Sequence, residues 1–383
     1  MTAAIHEVAD ILKQHWTSVV ENGMLNTWQL RTLNAVKDCR TAALGAHVDG
    51  CTQCGYVRIS YNSCRNRHCP KCQGIQREDW IQKRHSELLP VPYFHMVFTL
   101  PDTLNQLCLY QGKIIYGILF KTVWRVLSSF GKDHKWLGAD MGMIAVLHTW
   151  GQTMSLHPHL RCIVPGGGLT RQGKWRTTKS RGKYLFPVKA VSKVFRSRFI
   201  EELKKTLPDE MNPQVVATLY KKDWVVYAKR PFSGPQSVIE YLGRYTHKIA
   251  ISNHRIKNIS KDKITFSYKD YRKNGLKREM ELEPLAFIQR YALHILPKGF
   301  VRIRHYGILS SRSKLKCRIE INKQIICCDA INTKQFHQLF NPKECPCCKQ
   351  QTMRTIMCFN RRAPPDNWAE LAKLFLNTCE PLH

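Results

Sequence analysis

Apolar residues recur at helical spacing near the start of the chain, where Val8, Ile11, Leu12, Trp16 and Val19 mark one face within residues 2–36. The same period returns over 74–88, 102–130, 189–206 and 284–296. Between these stretches lie short apolar runs of strand type: Tyr93–Leu100, Met143–His148, His157–Val164, Trp224–Lys229 and the run FVRIRHY at 300–306. Shorter β-like segments fall at 250–257 and 263–268. Residues Pro235–Ile249 form a further amphipathic helix, opened by Ser233-Gly234-Pro235. Strands separated by helices at uneven spacing predict an α+β fold with a largely antiparallel sheet flanked by helices. Four regions follow: an N-terminal helical segment (1–46), a Cys/His-dense module (47–90), a mixed core (91–310), and a cysteine-bearing C-terminal extension (311–383) of less regular pattern.

Charge changes this picture most. Among 383 residues, Lys and Arg number 60 against 28 Asp and Glu, a formal net charge of +32. An excess this large predicts a polyanionic partner, with nucleic acid first. No run of about 18 apolar residues offers a membrane span, and the N-terminus is amphipathic rather than signal-like. The expectation is a cytoplasmic protein that meets no membrane. Sixteen cysteines in such a chain point to metal binding rather than disulfides.

The cysteine block CTQCGYVRISYNSCRNRHCPKC contains Cys51-x-x-Cys54 and Cys69-x-x-Cys72, the spacing of a tetrathiolate zinc site. Cys64 and His68 exceed a four-ligand set, which leaves open a second zinc or a different choice of ligands, with His47 in reach. Arg65 and Arg67 within the block would present charge to DNA. Near the C-terminus Cys345 and Cys348 form one more pair, with Cys327, Cys328 and Cys358 as the nearest partners. Arg302 and Arg304 alternate onto one face of their strand and would track phosphates.

Two further patterns carry chemistry. In His157-Pro158-His159 the strand repeat sends both imidazoles to one face, about 7 Å apart along the backbone, where they can close on one divalent cation. Pro158 donates no hydrogen bond, which suggests an edge or locally unpaired position. Two imidazoles underhold a hard cation such as Mg²⁺ or Mn²⁺, so a third ligand is expected from His148, Gln152 or His247. On the helix at 235–249, Tyr241 and Tyr245 stand one turn apart with Lys248 continuing their stripe. A phenol of pKa near 10 becomes a nucleophile where a metal polarises the phosphate and a cation such as Lys248 favours phenolate.

Together HPHLRCIVPGGGL, YLGRYTHKIAISNHRI, the cysteine block and FVRIRHYG resemble the insertion-sequence-91 family of rolling-circle transposases, in the HUH endonuclease superfamily. The resemblance runs from about His47 to Gly307. It implies a nuclease core with the metal-binding histidines on a central strand and the nucleophilic tyrosines on a flanking helix. It implies cleavage of single-stranded DNA with a 5′-phosphotyrosine and a free 3′-hydroxyl, and dependence on a host helicase and replication machinery in a bacterial, nucleoid-associated setting. Pro158 stands in place of a bulky hydrophobe, and Arg161 where relatives often carry a third histidine. A plasmid or phage replication initiator would use the same chemistry. A non-catalytic zinc-dependent regulator would leave the histidine and tyrosine pairs unexplained.

Overall fold

The computed structural model describes residues 4–73, 81, 88–178, 184–232, 238, 243, 249–324, 341–360 and 364–378. At its centre is a five-stranded sheet in the order β12-β4-β5-β3-β8, formed by β3 (Tyr93–Thr99), β4 (Gly142–Trp150), β5 (Leu156–Pro165), β8 (Val226–Phe232) and β12 (Ile303–Gly307). Every neighbouring pair is antiparallel. The strands carry apolar residues on alternate positions because one face meets two long helices. These are α5 (Gly112–Lys132) and α6 (Val188–Thr206). Phe94, Met96 and Phe98 of β3, Ala145 and Leu147 of β4, and Leu160 and Cys162 of β5 bury against Ile115, Leu119 and Val123 of α5 and Phe195 and Phe199 of α6. Phe98 meets Phe195 edge-on, with ring centroids 5.2 Å apart. Outside this layer, Glu202 of α6 binds Lys121 at 2.7 Å and Arg125 at 2.5 Å on α5, fixing the two helices together.

The opposite face of the sheet is partly apolar and partly histidine-rich. Tyr93, Ile144 and Ile163 pack there with Ile81 and Val238. The short α1 (Val8–Gln14), α2 (Trp16–Glu21) and α3 (Thr27–Lys37) form a second core. They pack with β9 (Ile256–Ile259), β10 (Ile264–Asp270) and α8 (Pro284–Ala292). Asn26 and Gln29 close α3 with a reciprocal capping box, at 2.9 and 3.0 Å. Trp28 of α3 donates to the Leu296 carbonyl at 2.9 Å.

Strand β10 also pairs with β11 (Leu276–Leu282), whose LKREMEL sequence carries too much charge to be read as a strand. The single helix expected over 102–130 is interrupted at Gln111, giving α4 (Asn105–Tyr110) before α5. Helix α7 (Pro213–Lys221), capped by Asn212, and helix α9 (Lys314–Gln324) lie in stretches with no expected element, and β6 (Gly167–Leu169) pairs with β7 (Trp175–Thr177).

The chain ends depart most from the expected regions. β1 (Ala46–Cys51) and β2 (Val57–Tyr61) form a hairpin, and β13 (Met353–Phe359) pairs antiparallel with the other edge of β1. Helix α10 (Trp368–Thr378) packs on this three-stranded sheet so closely that a Cβ at Gly50 would lie 2.2 Å from Ile356 Cδ1 and 2.9 Å from Leu376 Cδ1. The C-terminal region is therefore no separate extension. It completes the sheet that the N-terminal module begins. No helix among the described residues is long and apolar enough to cross a membrane.

Candidate active site and metal centres

His148, His157 and His159 come together on one face of the central sheet. His148 of β4 stands directly opposite His159 of β5 in the ladder, and their ring centroids are 5.3 Å apart. The His157 and His159 rings are also 5.3 Å apart. The strand repeat that placed His157 and His159 on one face thus adds His148 by register alone.

Pro158 does not mark an edge. β5 is the middle strand, between β4 and β3. The Pro158 nitrogen and carbonyl face β3 just past the end of the β3–β5 ladder at Thr99↔His159, so the missing donor leaves no ladder bond unmade. There the Pro158 carbonyl accepts from Leu100 N at 3.0 Å.

The site orients its own imidazoles. His159 Nδ1 lies 2.7 Å from the His157 carbonyl oxygen, which can only accept. Nδ1 therefore carries the proton and Nε2 presents its lone pair. Burial pushes the His159 pKa down to about 3, assisted by the Arg161 guanidinium, so the ring is neutral at physiological pH. The His148 ring stacks on Trp150 at 4.8 Å, and Arg302 lies over that Trp150 ring, 5.1 Å from its centroid.

That contact corrects the reading of Arg302 as a phosphate contact. It is 8 % exposed, its Nε donates to the Leu147 carbonyl at 3.1 Å, and burial lowers its pKa to about 9. Arg302 braces the aromatic stack behind His148. Arg304 lies over the Phe120 ring at 4.2 Å and donates to the Val301 carbonyl. Gln152 is engaged elsewhere, its side chain accepting from Lys269 N at 3.4 Å.

Tyr241, Tyr245, Lys248 and His247 lie outside the described residues. Within the same segment Val238 is fully buried beside Ile144 and Ile163. A Cβ at Gly243 would meet Ile81 Cδ1 at 2.2 Å. These apolar anchors sit on the histidine face, since Ile144 precedes His148 by four strand positions and Ile163 follows His159 by four.

The two Cys-x-x-Cys pairs do not share one metal site. Cys69 and Cys72 cluster with Cys64 and with Cys39, while Cys51 and Cys54 cluster with Cys345 and Cys348. The reason is the β1–β2 hairpin, which carries Cys51 and Cys54 at its tip and leaves Cys39 and Cys64 at its base. Cys39 was invisible as a ligand because it stands alone, 33 residues before Cys72. In this first cluster Cys72 Sγ is 3.6 Å from both Cys39 Sγ and Cys64 Sγ. Four sulfurs held about 2.3 Å from a tetrahedral zinc would stand about 3.8 Å apart, so the site fits Zn²⁺. Crowding by neighbouring thiols, Cys39 first, raises the pKa of both Cys64 and Cys69. Four thiolates need a cation between them.

His68 belongs to neither cluster. Its Nε2 accepts from Leu296 N at 3.4 Å and from Arg67 Nε at 3.3 Å, and burial followed by the Arg67 charge lowers its pKa to about 3. Its own carbonyl accepts from the Tyr291 hydroxyl. Arg67 likewise spends its guanidinium on the Phe300 and Pro297 carbonyls. Both are joints between the zinc module and the 296–300 loop. Arg65 remains exposed.

Residues 11–100 match the transposase zinc-binding domain, and residues 142–316 match a family described as "Putative transposase". A chain that brings a histidine-bearing antiparallel sheet together with such a zinc module is a DNA transposase by class. It belongs to the insertion-sequence-91 family of transposases. The chain is 39% identical to "Putative transposase y4qJ" of Sinorhizobium fredii (strain NBRC 101917 / NGR234), over 94% of this chain and 98% of that protein. It is 28% identical to the transposase for insertion sequence element IS801 of Pseudomonas savastanoi pv. phaseolicola, over 78% of this chain and 74% of that one. No solved structure matches the chain significantly.

Proposed function

We propose that this transposase cuts and rejoins single-stranded DNA at the ends of a mobile element through a 5′-phosphotyrosine intermediate, in a rolling-circle-like cycle. The observation that carries the reading is His148 facing His159 across the ladder, with His157 beside it. His148 and His157 each neighbour His159, and a shift of these side chains would bring the three imidazoles onto a Mg²⁺ or Mn²⁺ ion. Bound there, the ion would neutralise charge developing on the scissile phosphate.

The remaining work falls to the chain. Arg161 continues the histidine face and adds a fixed positive charge near the phosphate. The Tyr241 or Tyr245 oxygen attacks phosphorus in line, forming the Tyr–O–P bond as the P–O3′ bond breaks. The leaving 3′-oxygen takes a proton and departs as a hydroxyl. Lys248 favours the phenolate before attack. Two tyrosines let one centre hold one DNA end while cutting another. The buried anchors Val238 and Ile81 on the histidine face support a tyrosine segment held against it.

Single-stranded substrate would follow exposed basic side chains such as Arg65, with bases stacked on exposed rings such as Tyr184, 53% accessible. As the resemblance to rolling-circle transposases implies, a host helicase and replication machinery would supply the unwound strand. The likeness to a transposase for an insertion sequence supports an element end, rather than a plasmid origin, as the substrate. Incubation with labelled single-stranded element ends and Mn²⁺ is the test. A protease-sensitive adduct of protein and DNA is expected from the parent and none from a Tyr241→Phe/Tyr245→Phe double variant. Undiminished cleavage by the double variant contradicts the mechanism.

A further inference from the structure

The two Cys-x-x-Cys turns at opposite ends of the chain have the same backbone wiring. In the first, Cys51 N donates to the Tyr56 carbonyl at 2.8 Å and Gly55 N donates to the Cys51 carbonyl at 3.1 Å. In the second, Cys345 N donates to the Gln350 carbonyl at 2.8 Å and Lys349 N to the Cys345 carbonyl at 2.9 Å. The residue after the second cysteine is left-handed in both: Gly55 at φ +71° and Lys349 at φ +61°. A lysine in that conformation is strained relative to glycine, and the turn holds it there. Each loop thus presents two sulfurs in the same way, and the two loops face each other.

Across the gap, Cys51 Sγ is 3.6 Å from Cys348 Sγ and Cys54 Sγ is 3.6 Å from Cys345 Sγ. These separations are far beyond the roughly 2.05 Å of a disulfide and match the spacing of four sulfurs around tetrahedral zinc. Thr352 Oγ1 lies 3.1 Å from Cys51 Sγ, placed to donate to a thiolate. The partners are 291 and 297 residues apart. The surrounding contacts repeat the pairing of chain ends: Asp49 accepts from Thr355 Oγ1 at 2.8 Å, and Arg58 donates to the Pro342 carbonyl at 3.2 Å. Cys347, between the two C-terminal ligands, is exposed and outside the cluster.

We propose that Cys51, Cys54, Cys345 and Cys348 bind a second structural Zn²⁺ that clasps the C-terminal arm onto the N-terminal module, completing a zinc ribbon split between the two ends of the chain. One zinc then fixes each end of the β1–β2 hairpin. The first closes a local loop within residues 39–72, and the second closes the far longer loop from Cys51 to Cys348, where the constraint on the unfolded state is greater. The second site is also the more exposed, with Cys54 open to solvent. It should surrender its metal first to a chelator, freeing the arm while the first cluster stays intact.

Metal analysis of the full-length protein tests this without reference to DNA cleavage. Two zinc ions per chain are expected in the parent, two in Cys347→Ser, and one in Cys345→Ser/Cys348→Ser. In the double variant trypsin should cut within 341–354, at Lys343, Lys349 or Arg354, and leave 39–72 intact. One zinc in the parent, or two in the double variant, overturns the proposal. Should the double variant fail to fold, cobalt titration of the metal-free parent decides. Thiolate-to-cobalt charge transfer should rise to two equivalents, and saturation at one overturns the clasp.

Discussion

The histidine site and the cysteine sites are built in opposite ways. His148, His157 and His159 come from two consecutive strands, and antiparallel register alone sets them side by side. Cys51 and Cys54 meet Cys345 and Cys348 across as many as 297 residues, once β1 has paired with both β2 and β13, whereas the first cluster gathers within residues 39–72. The chemistry differs accordingly. Three imidazoles around the proposed ion would leave room for other ligands, as a reaction centre requires. Four thiolates close the coordination shell, which suits a metal whose task is to hold structure. An open site can be tuned for reaction while closed sites carry the architecture.

The largest expected effect separates the two. His159→Ala and His157→Ala should each lower cleavage of single-stranded element ends by at least about 100-fold, the scale of removing one preorganised electrostatic contact. Binding to the same DNA should stay within a few-fold, because lysine and arginine contacts to phosphate dominate affinity. Gel-shift and nicking assays on one preparation check both. Equal loss of binding and cleavage would place the histidines in the structural class with the cysteines.

On the cysteine side, Cys39→Ser or Cys69→Ser should release the first zinc and unfold the N-terminal module, since such sites draw much of their folding free energy from the metal. Zinc content and thermal melting report the outcome. An unchanged zinc count would show that the ligand set is different.

Buried histidines predict an acid limb of intermediate size. Burial lowers His95 to about 3 and His294 to about 4, both from an ordinary 6.5. Above pH 6.5 both are neutral whether the chain is folded or not, and their contribution is intact. As pH falls below 6.5 the unfolded chain takes up protons that the folded one refuses. Stability then falls by up to about 1.4 kcal/mol per pH unit for each group, levelling near the folded pKa. His294 is neutral by construction, accepting from or sharing with Thr149 Oγ1 at 3.1 Å and donating from Nε2 to the Met154 carbonyl at 3.0 Å. His294→Gln should make the limb shallower in denaturant melts between pH 7.5 and pH 5.

The smallest effect concerns the ribbon's packing. Gly50→Ala places a methyl against Ile356 and Leu376, and should cost about 1–3 kcal/mol as α10 is pushed outward. Zinc at the first cluster should be unaffected, which a melt combined with metal analysis would show.

The sequence carried the sheet and its histidines because period-two alternation and apolar runs act locally. β3, β4 and β5 fall within a residue or two of their expected bounds. His148 became legible as a partner once β4 and β5 were taken as a hairpin. The metal sets of the cysteines were not legible, because spacing reports only which thiols are neighbours in sequence. Cys39 had no sequence neighbour, and Cys345 and Cys348 met Cys51 and Cys54 only through β13, whose MRTIMCF mixes polar and apolar residues. The basic residues misled in the same direction. Arg67 and Arg302 were assigned to DNA by charge, whereas folding commits them to carbonyl oxygens and an aromatic ring.

The proposed cleavage centre pairs the histidine face with a tyrosine nucleophile. Mapping the covalent DNA adduct by mass spectrometry, after digestion of the trapped protein, tests it most directly. The expected result is a nucleotide-bearing peptide modified at Tyr241 or Tyr245, formed with Mn²⁺ by the parent and absent in His159→Ala. An adduct on any other residue, or one formed equally well by His159→Ala, would contradict it.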